Sequence, residues 1–209
     1  MEHAGAEAWV PSTRSVAKLA EAAESCRGCE LWADATQVVF SRGRASARIA
    51  LVGEQPGDQE DRAGEPFVGP AGRVLADALE AAKLDPSQVY LTNAVKHFRH
   101  TVRGKRRIHE KPAAGHVTAC HPWLEAELSV VRPHVVVCLG ATAGRSVLGR
   151  AVRIGAERGT VLEPATPGGP QVVVTTHPSA LLRLRDRSEW GEAFDGLVGD
   201  LRVAAAAAD

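Results

Sequence analysis

The chain has no excess of either charge. Its 25 Lys and Arg balance 25 Asp and Glu, so nucleic-acid contact must come from local clustering and not from a general attraction to polyanions. It has no apolar run approaching the roughly 18 residues of a membrane span. The first residues lack the basic-then-apolar pattern of a secretory signal, and a cytoplasmic protein without membrane attachment is expected. Four cysteines in a reducing compartment do not suggest a disulfide framework. There is no internal repeat.

What is present fits one domain over residues 1–209. The chain is 44% hydrophobic, which supplies a sizeable core without requiring a second domain. Two of the cysteines form Cys26-Arg27-Gly28-Cys29, a spacing that reads as a metal or cluster clip. The missing charge cluster is found between Arg99 and Lys111, where Lys105-Arg106-Arg107-Ile108-His109 stands out.

Periodicity orders the rest. Pro11-Ser12 followed by Val16, Leu19, Ala20 and Ala23 predicts a capped amphipathic helix that delivers the Cys pair. Arg48–Gly53, Val89–Thr92, Val135–Gly140 and Gln171–Thr176 are short apolar runs that read as buried parallel strands. Between the first two, Val74, Leu75, Ala78, Leu79 and Ala82 recur at helical spacing. A helix is predicted from about Pro112 to Val131, stopped by Arg132-Pro133, and another leaves Gly140 toward Leu148. Residues 99–111 read as a loop, and Ala204–Ala208 as a fraying helix end. Alternating strands and helices imply an α/β fold, a three-layer α/β/α sandwich around a mostly parallel sheet.

Two polar segments, Gly53-Glu54-Gln55-Pro56-Gly57 and His177-Pro178-Ser179-Ala180-Leu181, each leave the end of a predicted strand. Ligands bind at the carboxyl ends of parallel strands, so these segments are the expected rims of one site. Taken alone, Phe67 also reads as a core aromatic, Asn93 as a turn former, and Lys105-Arg106-Arg107 as a solvated loop that meets phosphates. His100, His116, His121 and His134 read as structural or exposed.

Four motifs in order carry a resemblance: Gly53–Gly57, Glu65-Pro66-Phe67-Val68-Gly69-Pro70-Ala71-Gly72, Leu91-Thr92-Asn93-Ala94-Val95-Lys96 and His177-Pro178-Ser179. With the upstream Cys pair they resemble the uracil-DNA glycosylases, most of all the iron–sulfur branch called family 4, and within it UdgX, the subgroup that cross-links itself to uracil-DNA. The resemblance spans roughly Cys26 to Arg183.

It implies a pocket for an extruded uracil in DNA, with single strands preferred because they avoid a few kcal/mol of unpairing. Phe67 would stack on the base, and the Asn93 carboxamide would pair with N3–H and O4, an edge that cytosine does not present. Gly53, Gly57 and Asp58 would line the same pocket. The implied catalytic set is Glu54, Gln55, His177 and His109. His177 would donate to O2 as uracil leaves, and His109 would attack C1′ and stay attached. Glu54 would either orient His109 or offset the charge on the sugar. Lys105, Arg106, Arg107, Ser179 and Arg183 would meet DNA, with Leu181 as a wedge or, equally, a core residue.

In the iron–sulfur glycosylases a third Cys follows the Asn-x-x-Lys segment, where this chain has His97. The implied ligands of a [4Fe–4S] cluster are therefore Cys26, Cys29, His97 and Cys120, with zinc as the competing metal and Cys138 as a buried strand residue. A monomer is expected. A turnover glycosylase without capture, or a non-catalytic metal-clipped module that binds nucleic acid, are the other functions the residues allow.

Overall fold

The computed structural model describes residues 3–209, so residues 1 and 2 of the expected domain lie outside the described residues. In chain order the elements are α1 (Val16–Ala23), α2 (Leu31–Asp34), β1 (Ser41–Arg42), β2 (Ile49–Gly53), α3 (Asp58–Ala63), α4 (Pro70–Ala81), β3 (Val89–Asn93), β4 (His100–Arg103), β5 (Arg106–His109), α5 (Ala114–Val131), β6 (Val135–Leu139), α6 (Ala141–Leu148), α7 (Ile154–Glu157), β7 (Val161–Leu162), β8 (Gln171–Thr175), α8 (Pro178–Leu181) and α9 (Arg187–Ala208).

A six-stranded sheet runs β1-β3-β2-β6-β8-β7. Its four inner strands are parallel, and β1 and β7 close the edges antiparallel. The inner strands are continuous apolar runs because both of their faces are covered. On one face Ile49, Leu51, Val89, Leu91, Val137 and Val173 pack against α4 and α9. On the other, Ala50, Val52, Tyr90, Val136, Cys138 and Val174 meet residues of α5 and α6. Each fully buried Leu or Val of this kind contributes about 1.5–3 kcal/mol. The three-layer α/β/α sandwich with a mostly parallel sheet is therefore the observed architecture.

Register places the strand exits side by side. Gly53 pairs with Asn93 across β2 and β3, and Leu139 with Thr175 across β6 and β8. The chain leaves β2 toward β3 on one flank, then crosses to β6 on the other. That reversal makes the crevice beyond β2 and β6 a topological switch point, where ligands bind in open α/β sheets.

Three local expectations are corrected. Residues 99–111 are mainly a β-hairpin: His100 faces His109 and Arg103 faces Arg106, with Gly104 turning at φ 61°. A Gly at the first position of a two-residue turn was the available signal, but strands of four residues with a single aliphatic residue each hide the alternation. The Ala-rich tail is helical as far as Ala208. It ends the 22-residue α9, capped by Asp186, whose carboxylate accepts from Ser188 N and Glu189 N, and Ala204 and Ala208 are buried. Ser15, not Ser12, caps α1. Among the described residues no helix is long and apolar enough to cross a membrane.

Candidate active site

The exits of β2, β3, β6 and β8 open on a cleft of about 790 Å³, lined among others by Glu54, Phe67, Asn93, His109, Thr142 and His177. Gly53, the last residue of β2, lets two of these groups approach. A Cβ there would lie 2.3 Å from Asn93 Oδ1 and 2.8 Å from Phe67 Cζ. Asn93 is 2% exposed, fixed at the end of β3. Phe67 holds φ 60°, a region that non-glycine residues enter only when their surroundings impose it. The surroundings are visible. Gly72 packs so tightly that a Cβ would strike the Phe67 carbonyl, and the next loop residues are clamped by Glu60, whose carboxylate accepts from Gly57 N (3.1 Å) and Gly69 N (2.6 Å).

His177 caps α8. Its Nδ1 accepts from Ser179 N at 3.1 Å and lies 2.8 Å from Ser179 Oγ. Desolvation, then the nearby His109 and Arg183, bring its pKa down to about 4. The ring is thus neutral at pH 7, and with Nδ1 occupied as an acceptor its proton sits on Nε2. The result is an uncharged N–H donor within the cleft lining.

The hairpin carries His109 to the same cleft. Arg107 holds it: Nε donates to Asp58 Oδ1 (2.6 Å), and one terminal nitrogen donates to Asp61 Oδ2 (2.5 Å) and Thr36 Oγ1 (3.0 Å). Asp61 is fully buried, and the hydrogen bonds from Arg62 and Arg107 keep Asp58 below the usual carboxylate range. Gln55 clamps the hairpin's base, donating to Arg99 O and Glu110 O and accepting from Arg99 N. His109, 48% exposed, turns Nε2 toward Glu54 Oε1 at 3.8 Å. The second carboxylate oxygen of Glu54 accepts from Thr142 Oγ1 at 2.5 Å.

These contacts revise several expected roles. Arg107, 15% exposed, spends its guanidinium on internal carboxylates and is not free for phosphate. Gln55 spends its carboxamide on the hairpin backbone, so its side chain is not a free catalytic group. Asp58 lines the cleft but is committed to Arg107 and Arg62. Leu181 is completely buried in the core, whereas Leu182 is 48% exposed and lines the cleft. Gly57, Ser179 and Arg183 also line the cleft, and Lys105 and Arg106 are exposed at the hairpin turn. Sequence reasoning missed Glu60, Asp61 and Thr142. Glu60 had a signal, standing three residues after a helix-capping Gly57.

Cys26, Cys29, His97 and Cys120 line a second, much smaller pocket together with Lys96 and Trp123. The donor set fits an iron–sulfur cluster. The segment after α1, the segment after β3 and α5 bring three cysteines and a histidine to the lining of this one pocket. Burial brings the His97 pKa down to about 4, so its ring is neutral and ligand-ready. Trp123 Nε1 donates to Cys26 Sγ and Lys96 N to Cys120 Sγ, both at 3.3 Å, the kind of hydrogen bond to sulfur that tunes such clusters. Burial pushes the Cys120 thiol up to about 12, so ligation must displace its proton. Cys138 stays inside β6, fully buried among valines. Nearby, Glu30 bridges His116 Nε2 (2.7 Å) and His3 Nδ1 (3.0 Å). Because His116 Nδ1 accepts from Ala113 N, a neutral His116 carries its proton on Nε2 and has no lone pair left for an ion.

Behind the pocket lies a buried ion pair. Lys96 (1% exposed) meets Glu127 (0%), and Lys96 Nζ also donates to Thr92 Oγ1 and Asn93 O. Tyr90 OH completes the set by donating to Glu127.

An amide, an aromatic ring, a neutral imidazole donor and a second imidazole beside a carboxylate surround one cleft at the strand exits. They give an α/β protein a cleft with one aromatic face and several hydrogen-bonding groups at its strand exits. Residues 40–201 match the family described as the Uracil DNA glycosylase superfamily, and the chain belongs to that superfamily. It is 36% identical over 168 residues to the Type-4 uracil-DNA glycosylase of Thermotoga maritima, covering 80% of this chain and 83% of that protein. The Type-4 enzyme of Archaeoglobus fulgidus is 34% identical over 176 residues, 81% of this chain and 85% of its own. A Type-5 uracil-DNA glycosylase of Pyrobaculum aerophilum is 33% identical over 172 residues, 74% and 71% of the two chains.

Proposed function

We propose that this protein excises uracil from DNA and then captures the sugar through His109, as a UdgX-like member of the superfamily. The observation that carries the capture step is the clamped hairpin. Arg107, Gln55 and two carboxylates fix an imidazole at the cleft with Nε2 facing Glu54, a degree of preorganisation that a phosphate-binding loop does not need.

Uracil enters between Phe67 and Asn93, stacked on one and paired with the other. The N1–C1′ bond breaks, and its electron pair leaves with the base as the uracil anion, stabilised at O2 by the neutral His177 Nε2–H. Of the two roles open to Glu54, we favour offsetting the positive charge on the sugar. The His109 Nε2 lone pair then forms the bond to C1′, the imidazolium releases its Nδ1 proton to solvent, and uracil takes a proton from water. No acidic leaving group remains on the alkylated ring, so the adduct persists.

We assign a [4Fe–4S] cluster to Cys26, Cys29, His97 and Cys120. When bound it supplies a cross-link among three segments and no redox step in this reaction. His97 and Cys120 flank the hairpin in sequence, so that cross-link steadies the hairpin's roots. The remaining elements of the reading are a single domain over 1–209, a cytoplasmic monomer, and unpaired DNA as the preferred substrate. Lys105, Arg106, Ser179 and Arg183 meet phosphates, and exposed Leu182 takes the wedge role first given to Leu181.

The test is a labelled uracil oligonucleotide run with the protein on a hot denaturing gel, beside a thymine control and His109→Ser. A uracil-dependent, heat-stable shift that disappears in the variant supports capture. Free uracil without a shift makes this a turnover glycosylase, the activity in the names of the Type-4 relatives. Neither product would leave a nucleic-acid-binding module and overturn the reading.

A further inference from the structure

The exit of β6, Gly140-Ala141-Thr142-Ala143-Gly144, has no part in the reaction described so far, yet it faces Glu54 across the crevice between β2 and β6. Gly140 turns with φ 91°, and a Cβ there would sit 3.2 Å from the Cβ of His177. A glycine therefore lets α6 begin directly beside the His177 loop. The first turn of α6 then presents Thr142 to the cleft.

Among the described residues, Thr142 Oγ1 supplies the hydrogen bond that the Glu54 carboxylate receives, at 2.5 Å on Oε2. Oε1 is left facing His109 Nε2 at 3.8 Å, too far for a hydrogen bond. The two oxygens are thereby given different tasks. A hydrogen bond on one oxygen restrains the carboxylate about its terminal torsion, and the other oxygen keeps its lone pairs for the centre where positive charge develops. The donor is a neutral hydroxyl. It orients the carboxylate without cancelling its charge, as an Arg or Lys at the same place would.

We propose that Thr142 is a positioning residue for uracil excision, holding the Glu54 carboxylate so that Oε1 faces the sugar. The proposal rests on the reading of Glu54 as the group that offsets sugar charge. It holds whether His109 or a water completes the reaction.

The test uses the 209-residue protein as purified and single-turnover release of uracil from a single-stranded oligonucleotide, with Thr142→Val, Thr142→Ser and Glu54→Gln. Valine keeps the shape and removes the hydroxyl; Thr142 is only partly buried, so folding is retained. The maximal rate of Thr142→Val is expected to fall roughly 10-fold, the loss of one hydrogen bond to a charged group. Its concentration dependence should not change, and Thr142→Ser should restore the rate. A wild-type rate in Thr142→Val with Glu54→Gln inactive would overturn this proposal alone. A wild-type rate in Glu54→Gln would overturn the reading of Glu54 beneath it. Weaker DNA binding in Thr142→Val at an unchanged maximal rate would also overturn the proposal, since it would make Thr142 a substrate contact.

Discussion

Replacing Gly53 by Ala places one methyl group between Asn93 and Phe67, the pair proposed to hold uracil. The new Cβ would lie 2.3 Å from Asn93 Oδ1 and 2.8 Å from Phe67 Cζ, both inside the distance at which carbon and its neighbours overlap. Asn93 is fixed at the end of the inner strand β3 and 2% exposed. Phe67 already holds a strained φ of 60° between Gly72 and the Glu60 clamp. Neither can retreat without leaving the position proposed for stacking or edge pairing. Overpacking of a close-packed site costs about 1–3 kcal/mol. If that cost falls on the bound base, excision slows by about 5- to 150-fold. The assay is the single-turnover rate of uracil release from a single-stranded oligonucleotide, with the thermal midpoint measured in parallel. The fold should survive, since a loss of 1 kcal/mol lowers the midpoint of a chain this size by only about 2–4 °C. A folded Gly53→Ala protein that excises uracil at the wild-type rate would refute the placement of the base between Phe67 and Asn93.

Acid should reach His177 late. Its folded pKa is about 4, below the ordinary value near 6.5, so between those values the unfolded chain binds the extra proton. Stability from this group is therefore present above about pH 6.5 and is lost as pH falls toward 4. Ring NMR should show His177 neutral at pH 5; titration between pH 6 and 7 would contradict the assigned donor. Lys96→Met leaves Glu127, 0% exposed, as an unpaired buried charge, which costs about 3–5 kcal/mol. Its thermal midpoint should drop by roughly 6–20 °C, with partial recovery in the Lys96→Met/Glu127→Met double variant; a single variant as stable as wild type would contradict the paired assignment. Purified protein should be brown with broad absorbance near ~400 nm. Cys138→Ala should keep that colour and its iron, and Cys120→Ala should lose both, whereas colourless protein containing zinc would remove the cluster.

The parallel strands were legible because burial on both faces leaves an uninterrupted apolar run, as in Val135–Leu139. Gly53, Asn93 and His177 followed from strand ends, and register then brought Gly53 and Asn93 side by side. The hairpin was not legible. Four-residue strands with a single aliphatic residue each, Val102 and Ile108, offer no apolar alternation, and what makes Arg107 internal is a pair of aspartates 46 and 49 residues upstream. Leu181 and Leu182 are adjacent and equally apolar, so only the turn of α8 decides that the first enters the core and the second faces the cleft. Thr142 had no local signal at all. Its partner, Glu54, lies 88 residues away, and only the crossover from β3 to β6 brings the two together.

The most direct measurement of the central claim is mass spectrometry of the protein digested after reaction with a uracil oligonucleotide. The account predicts that the peptide carrying His109 gains the mass of the abasic deoxyribose-linked fragment, with one equivalent of uracil released. Released uracil with an unmodified His109 peptide, or the added mass on any other residue, would contradict it.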